Sequence, residues 1–256
     1  SLNPGAESVH FPVICGVIDR RILVNYRVDP EVAAQILPAP FRPQLVAGHA
    51  IAGICLIRLR QLRPAMFPSF VGLGSENAAH RFAVEWDSED GVRTGVFVPR
   101  RDTSSCLATL AGGRIFPGVQ RRAAFDVHEA DDEIRIAMLS RDGSAQVLVE
   151  GSEASDLPAG SVFRSTETAS RFFGDGSMGY SPGQSGHCFE GLELRTANWQ
   201  VQPFSVASVK SSFFSDRAVF PEGSVVFDHA LLMRGIDHSW HSCEPVASSL
   251  RVELSK

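Results

Sequence analysis

The sequence predicts a β-dominated α+β fold: a curled or closed antiparallel β-barrel with a few peripheral helices. Three observations carry this. Runs rich in Val, Ile and Leu recur along most of the chain, turn-forming steps such as Asp90-Gly91 separate several of them, and only two or three stretches have helical spacing. The regular helical crossovers that a parallel sheet requires are missing from the pattern. No linker-like tract divides the chain, so residues 1–256 are read as one domain, with the first ten or so as a tail.

The opening strand is FPVICGVIDRRILVNYRV, and the next long one is AIAGICLIRLRQL. A helix lies between them. Asp29 caps it, Pro30 suits its first turn, Glu31 meets the positive end of its dipole, and Val32, Ala33, Ile36 and Leu37 form an apolar stripe. Pro38 and Pro40 stop it. RFAVEW and VRTGVFVP flank DSEDG and predict a hairpin, while AAFDV, EIRIAML and AQVLVE, separated by HEADD and SRDGS, predict a meander.

A short helix is expected to start after Asp102 or Thr103, to run through SSCLATL and to end at Gly112 and Gly113. STETASRFF predicts another, capped by Ser165 or Thr166. Further on, CFEGLELR, WQVQPFSVASV and SVVFDHALLM read as strands, although FDHALLM suits a short helix equally well.

A formal net charge of -5 and a pI near 5.9 argue against a nonspecific nucleic-acid surface or an anionic-membrane surface. Five cysteines, an odd number without a CxxC pair, fit reduced thiols in the cytoplasm. SLNPGAESVH has neither a basic leader nor an apolar core, and no apolar run approaches the roughly 18 residues that cross a bilayer. Neither export nor membrane anchoring is expected. Arginine supplies 22 of the 24 basic residues, which leaves Lys210 and Lys256 as the amine side chains.

NYRVDPEVAAQILPAPF, then GLGSENAAHRFAVEW, then GVFVPRRDTSS together resemble the acetoacetate decarboxylase-like superfamily, and within it an uncharacterised bacterial branch lacking the catalytic lysine. The likeness is strongest over about the first 120 residues. In the decarboxylases the position before the short helix reads PKK: one lysine forms an imine with a keto acid and its neighbour lowers its pKa. Here the same position reads Pro99-Arg100-Arg101. The resemblance matches a family glutamate to Glu76, puts the other family acid near Gly53, and puts a family arginine near Arg20 or Arg21.

A guanidinium stays protonated and cannot attack a carbonyl as a free amine does, so imine formation is not expected at Arg100 or Arg101. Its planar fork suits carboxylates instead. Adjacent strand residues face opposite sides, so one of the two arginines is expected to point inward and the other to pair with an acid such as Asp102. The expected site comprises Glu76 and Arg100 as catalytic groups, with Arg101, Asp102, Ser104 and Arg21 as ligand-binding groups. Its partner is a small anionic organic molecule, with no cofactor and no metal. The alternative is a noncatalytic binding or sensor protein on the same scaffold, and the resemblance implies a homo-oligomer.

Other motifs are set aside. Asp237, His238 and His241 lack a distant partner pattern for a metal site. Gly174, Gly176 and Gly179 satisfy GxGxxG by letter but follow Phe172 and Phe173 instead of a strand, and are read as a loop. Cys106 is read as a small core cysteine rather than a reactive thiol.

Overall fold

A computed structural model describes residues 12–106, 117–183 and 188–248. The opening tail and most of the helix expected around SSCLATL lie outside these. The strands are β1 (Ile14–Val28), β2 (Arg42–Pro43), β3 (Leu45–Val46), β4 (His49–Pro64), β5 (Leu73–Ser88), β6 (Gly91–Thr103) and β7 (Gln120–Ala130). They continue with β8 (Glu133–Ser140), β9 (Gln146–Glu153), β10 (Met178–Pro182), β11 (Cys188–Thr196), β12 (Gln202–Ser211) and β13 (Val225–Ala247). FDHALLM is therefore strand. Two α-helices accompany them, α1 (Pro30–Ile36) and α2 (Thr166–Asp175).

The helix ends have the chemistry their sequences require. Asp29 accepts hydrogen bonds from the amides of Glu31 and Val32, and Ser165 with Thr168 forms a reciprocal capping box on α2. The β5–β6 hairpin pairs Ser88 with Gly91, so the turn residues are Glu89 and Asp90, one position earlier than DSEDG suggests. Gly91 opens β6 at a φ of 113°, a backbone value that suits glycine.

All the strands belong to one 13-stranded sheet whose hydrogen bonding returns on itself twice. One circuit runs β6-β7-β8-β9-β12-β13-β1-β4-β5 and back to β6. A second runs β6-β10-β11-β13 and shares the wall β13-β1-β4-β5 with the first. Such closure satisfies the edges that an open sheet leaves free. The pairing is antiparallel except at β6–β7 and β6–β10, which are parallel. That departs from the purely antiparallel expectation, because β7 and β10 both run beside β6 in its own direction.

Strand alternation gives the shared wall two different faces. Ile22, Val24, Ile54, Leu56, Phe82 and Val84 pack into the interior of the first circuit with Ile136, Val149, Phe204 and Phe214. Residues of opposite parity, among them Leu23, Cys55, Ile57 and Ala83, pack instead with Phe163, Ala169 and Phe173 at α2. A cavity opens on this second face.

Candidate functional site

A cavity of about 340 Å³ lies between the second face of the wall, β10, β11 and α2, within the size range of small-molecule sites. Its lining is mostly apolar, with Phe172, Phe173, Trp199 and Trp240 as aromatic walls. Besides Arg63 of β4, which donates to the backbone carbonyls of Gln61 and Phe67, three arginines interrupt it: Arg21 from β1, Arg81 from β5 and Arg101 from β6.

The hydrogen bonds of all three go to uncharged partners. Arg21 donates from Nε to the sulfur of Cys55 at 3.2 Å, and its guanidinium lies 5.8 Å from the Trp199 ring centroid. Arg101 donates from Nε to the Ser181 hydroxyl at 3.2 Å, which in turn donates to the Val98 carbonyl. Arg81 donates from Nη2 to Oδ1 of Asn25 at 2.5 Å and lies over the ring of Phe173 at 4.8 Å, while its buried Nε–H has no partner. Burial lowers both Arg81 and Arg101 below the ordinary guanidinium range, to about 10, so each remains charged at neutral pH. Three positive charges thus border an apolar cavity without a carboxylate on any of them.

Arg81 faces the cavity with Ala79 and Ala83 by the plain alternation of β5, and a local irregularity lies across from it on β6. The β5–β6 register shifts between His80 and Phe82, opposite Pro99, which has no N–H to give to the ladder. Behind it a buried chain runs from Asn25 to His229 at 3.1 Å and from His229 Nδ1 to Asp228 at 2.6 Å.

The residues singled out from sequence separate into two groups. Arg21 and Arg101 line the cavity, and Asp102 borders it. Arg100 projects from the other face of β6, where it donates to both carboxylate oxygens of Asp102, at 2.7 and 2.8 Å, and to the Ser140 and Ser144 hydroxyls. Glu76 also faces away from the cavity. Its two oxygens accept from Arg20 Nη2 at 2.6 Å and Arg58 Nε at 2.5 Å, in a network that includes Glu129 and Arg234. The Ser104 hydroxyl accepts from the Glu76 amide at 2.9 Å. Arg100, Glu76 and Ser104 thus do not meet Arg101 around one anion, because strand alternation turns Arg100 and Glu76 to the opposite face.

Two side chains of the cavity escaped the sequence reading, Arg81 and Cys55. A buried arginine in HRFAVEW carries no local signature. Pro99 inside a strand was the available hint that the ladder breaks beside it.

Several set-aside motifs look different in place. Gly174 ends α2, Gly176 caps it and Gly179 lies in β10, so the glycine cluster is a helix-to-strand junction on the cavity and not a loop. IDHSWH is part of β13, with His238 buried against Trp240 at 4.2 Å. Cys106 is exposed rather than in the core, and a hydrogen bond with Arg122 holds its thiol below the ordinary range. All five cysteines are free of disulfides. No helix among the described residues is long and apolar enough to cross a membrane.

Comparison with solved structures places this architecture in the acetoacetate decarboxylase-like class. Acetoacetate decarboxylase from Legionella pneumophila superposes with a TM-score of 0.59 over 98% of this chain and 94% of its own, at 14% identity. An acetoacetate decarboxylase-like enzyme from Sphingomonas wittichii gives 0.57 over 96% and 97%, at 13% identity. The enduracididine biosynthesis enzyme MppR complexed with pyruvate gives 0.53 over 95% and 93%, at 12% identity. Within that class the chain belongs to the DUF2071 family, described as an uncharacterized conserved protein, whose model matches residues 18–233. No curated protein matches the chain.

Proposed function

We propose that this protein binds a small organic carboxylate in the cavity of Arg21, Arg81 and Arg101, and that it does so without forming a lysine imine. The observation that carries this reading is the convergence of three guanidiniums, none held by a carboxylate, on one apolar cavity. A bound carboxylate would supply the countercharge and a partner for Arg81 Nε, and the aromatic walls would cover its organic part. Pyruvate bound to MppR, which shares the fold, is consistent with a ligand of this size and charge.

The imine is set aside on the identity of the lining. Lys210 is exposed on β12 and does not border the cavity, so the described lining holds no amine. The roles considered for Arg100 and Glu76 give way to those of Arg101 and Arg81, since both former residues are engaged in ion pairs on the opposite face.

Thermal unfolding in the presence of pyruvate, acetoacetate or benzoate tests the reading. At a hundred times Kd a ligand adds about 2.7 kcal/mol to stability. At least one of these acids is expected to raise Tm in the natural protein and in Arg60→Ala, an exposed control, and to lose that effect in Arg101→Ala and Arg81→Gln. Equal shifts in all four proteins, or none in any, would refute an arginine-held anion.

A further inference from the structure

We infer that Cys55 is a nucleophile built into the anion cavity, directed at small carboxylates that carry an electrophilic carbon. The inference rests on the anion-site reading and deepens it.

Cys55 sits on β4 with 8% of its surface exposed, and that surface borders the cavity. The thiol is the group that the three arginines share. Arg21 Nε–H points at its sulfur from 3.2 Å, and the charges of Arg81 and Arg101 both act on it. A cysteine sulfur serves as a nucleophile where a ligand can reach it among cations, and the cavity position and the Arg21 contact supply both conditions. Arg81, only 4% exposed and with its Nε–H unpartnered, independently marks this spot as built to receive an acceptor.

The same cations that surround the sulfur also gather the carboxylate of an incoming molecule, which sets the order of events. The carboxylate docks on the arginines, and the sulfur then lies beside the carbon next to it. With an α-halo acid, the sulfur pair forms the S–C bond while the carbon–halogen pair leaves as halide and the thiol proton passes to water. With a 2-oxo acid, the S–C bond forms at the carbonyl carbon, the π pair moves to oxygen, and that oxygen takes up, through water, the proton that the thiol gives up. Neither step changes a redox state, and the second is reversible.

The test uses the full chain carrying Cys106→Ser, so that the exposed thiol beside Arg122 does not compete. Iodoacetate and the neutral iodoacetamide are applied in parallel, and labelling at Cys55 is timed by peptide mass spectrometry. Glutathione in the same buffer gives the intrinsic ratio of the two reagents. The expected result is a ratio of iodoacetate to iodoacetamide rates at Cys55 at least tenfold above that of glutathione, falling towards it in Arg101→Gln. A ratio equal to that of glutathione, or labelling only after unfolding, would overturn the inference. If carboxylates still raise Tm through Arg101 while Cys55 shows no such preference, the nucleophile fails and the anion site stands. If both effects are missing, both readings fail together.

Discussion

The guanidinium of Arg81 donates to Oδ1 of Asn25 at 2.5 Å, and this one bond fixes the polarity of the buried chain behind it. A guanidinium has only donors, so the Asn25 oxygen must face it and the Asn25 amide nitrogen must face His229. Nε2 of His229 is then the acceptor and Nδ1 carries the hydrogen, which it donates to Asp228. Asp228 also accepts from Ser161 and from the Val162 amide. The cavity arginine is thereby anchored, through a neutral histidine, to a carboxylate that never reaches the cavity.

Replacing Asn25 tests that anchor. Asn25→Leu keeps the volume but strands Arg81 and His229, and is expected to cost about 2–4 kcal/mol, since one of the orphaned groups is charged. Asn25→Asp gives Arg81 a countercharge and is expected to weaken carboxylate binding about tenfold or more. Urea unfolding reads the first and calorimetric titration reads the second.

Arg100 and Arg101 are adjacent in sequence and opposite in consequence. Arg100→Ala leaves the Asp102 carboxylate buried without its bidentate partner, and is expected to destabilise the fold by about 3 kcal/mol. Arg101→Ala removes a buried charge that has no carboxylate partner, so it is expected to preserve stability while abolishing carboxylate-dependent shifts in Tm. Paired denaturation curves with and without ligand separate the two.

Acid sensitivity follows from the histidines. Burial, with a smaller contribution from the charge of Arg100, holds His80 at about 3 against an ordinary 6.5, and burial likewise holds His238 at about 4. Between those values and 6.5 the unfolded chain takes up protons that the folded one refuses. Stability is therefore full above pH 6.5 and falls as pH drops towards 3 and 4 respectively, by about 1.4 kcal/mol per pH unit for each histidine. His80→Leu is expected to make the loss between pH 6 and 4 shallower by one such increment, read from urea midpoints at pH 7, 5.5 and 4.5.

Borohydride reduction with pyruvate or acetoacetate is expected to leave no adduct. A stable mass increase mapped to Lys210 would require that exposed strand to reach the ligand, and would reinstate the imine route.

Much of the scaffold is legible in residue patterns because its causes are local. Asp29 before Pro30, Ser165 before Thr166 and the alternating strands each carry their own signature. The opposed directions of Arg100 and Arg101 also follow from alternation alone. The composition of the cavity does not, because Arg81 is held by Asn25, 56 positions away, and Cys55 gains its meaning from arginines on three other strands. The resemblance put a family acid near Gly53, and the fold explains why none fits there. A Cβ at that position would lie 2.4 Å from the Val24 carbonyl oxygen.

The wall shared by the two hydrogen-bonded circuits has a consequence for how such a chain tolerates change in length. Along the middle of β1, β4 and β5, whether a position is odd or even assigns it either to the interior of the first circuit or to the face that carries the second cluster and the cavity. Losing a single residue from the middle of β4 would transpose the two sets, sending Leu56 towards the ligand and Cys55 into the oily interior. Point substitutions on the cavity face leave the interior of the first circuit untouched, so new specificities are reachable by exchange of side chains, while insertions and deletions are confined to the turns.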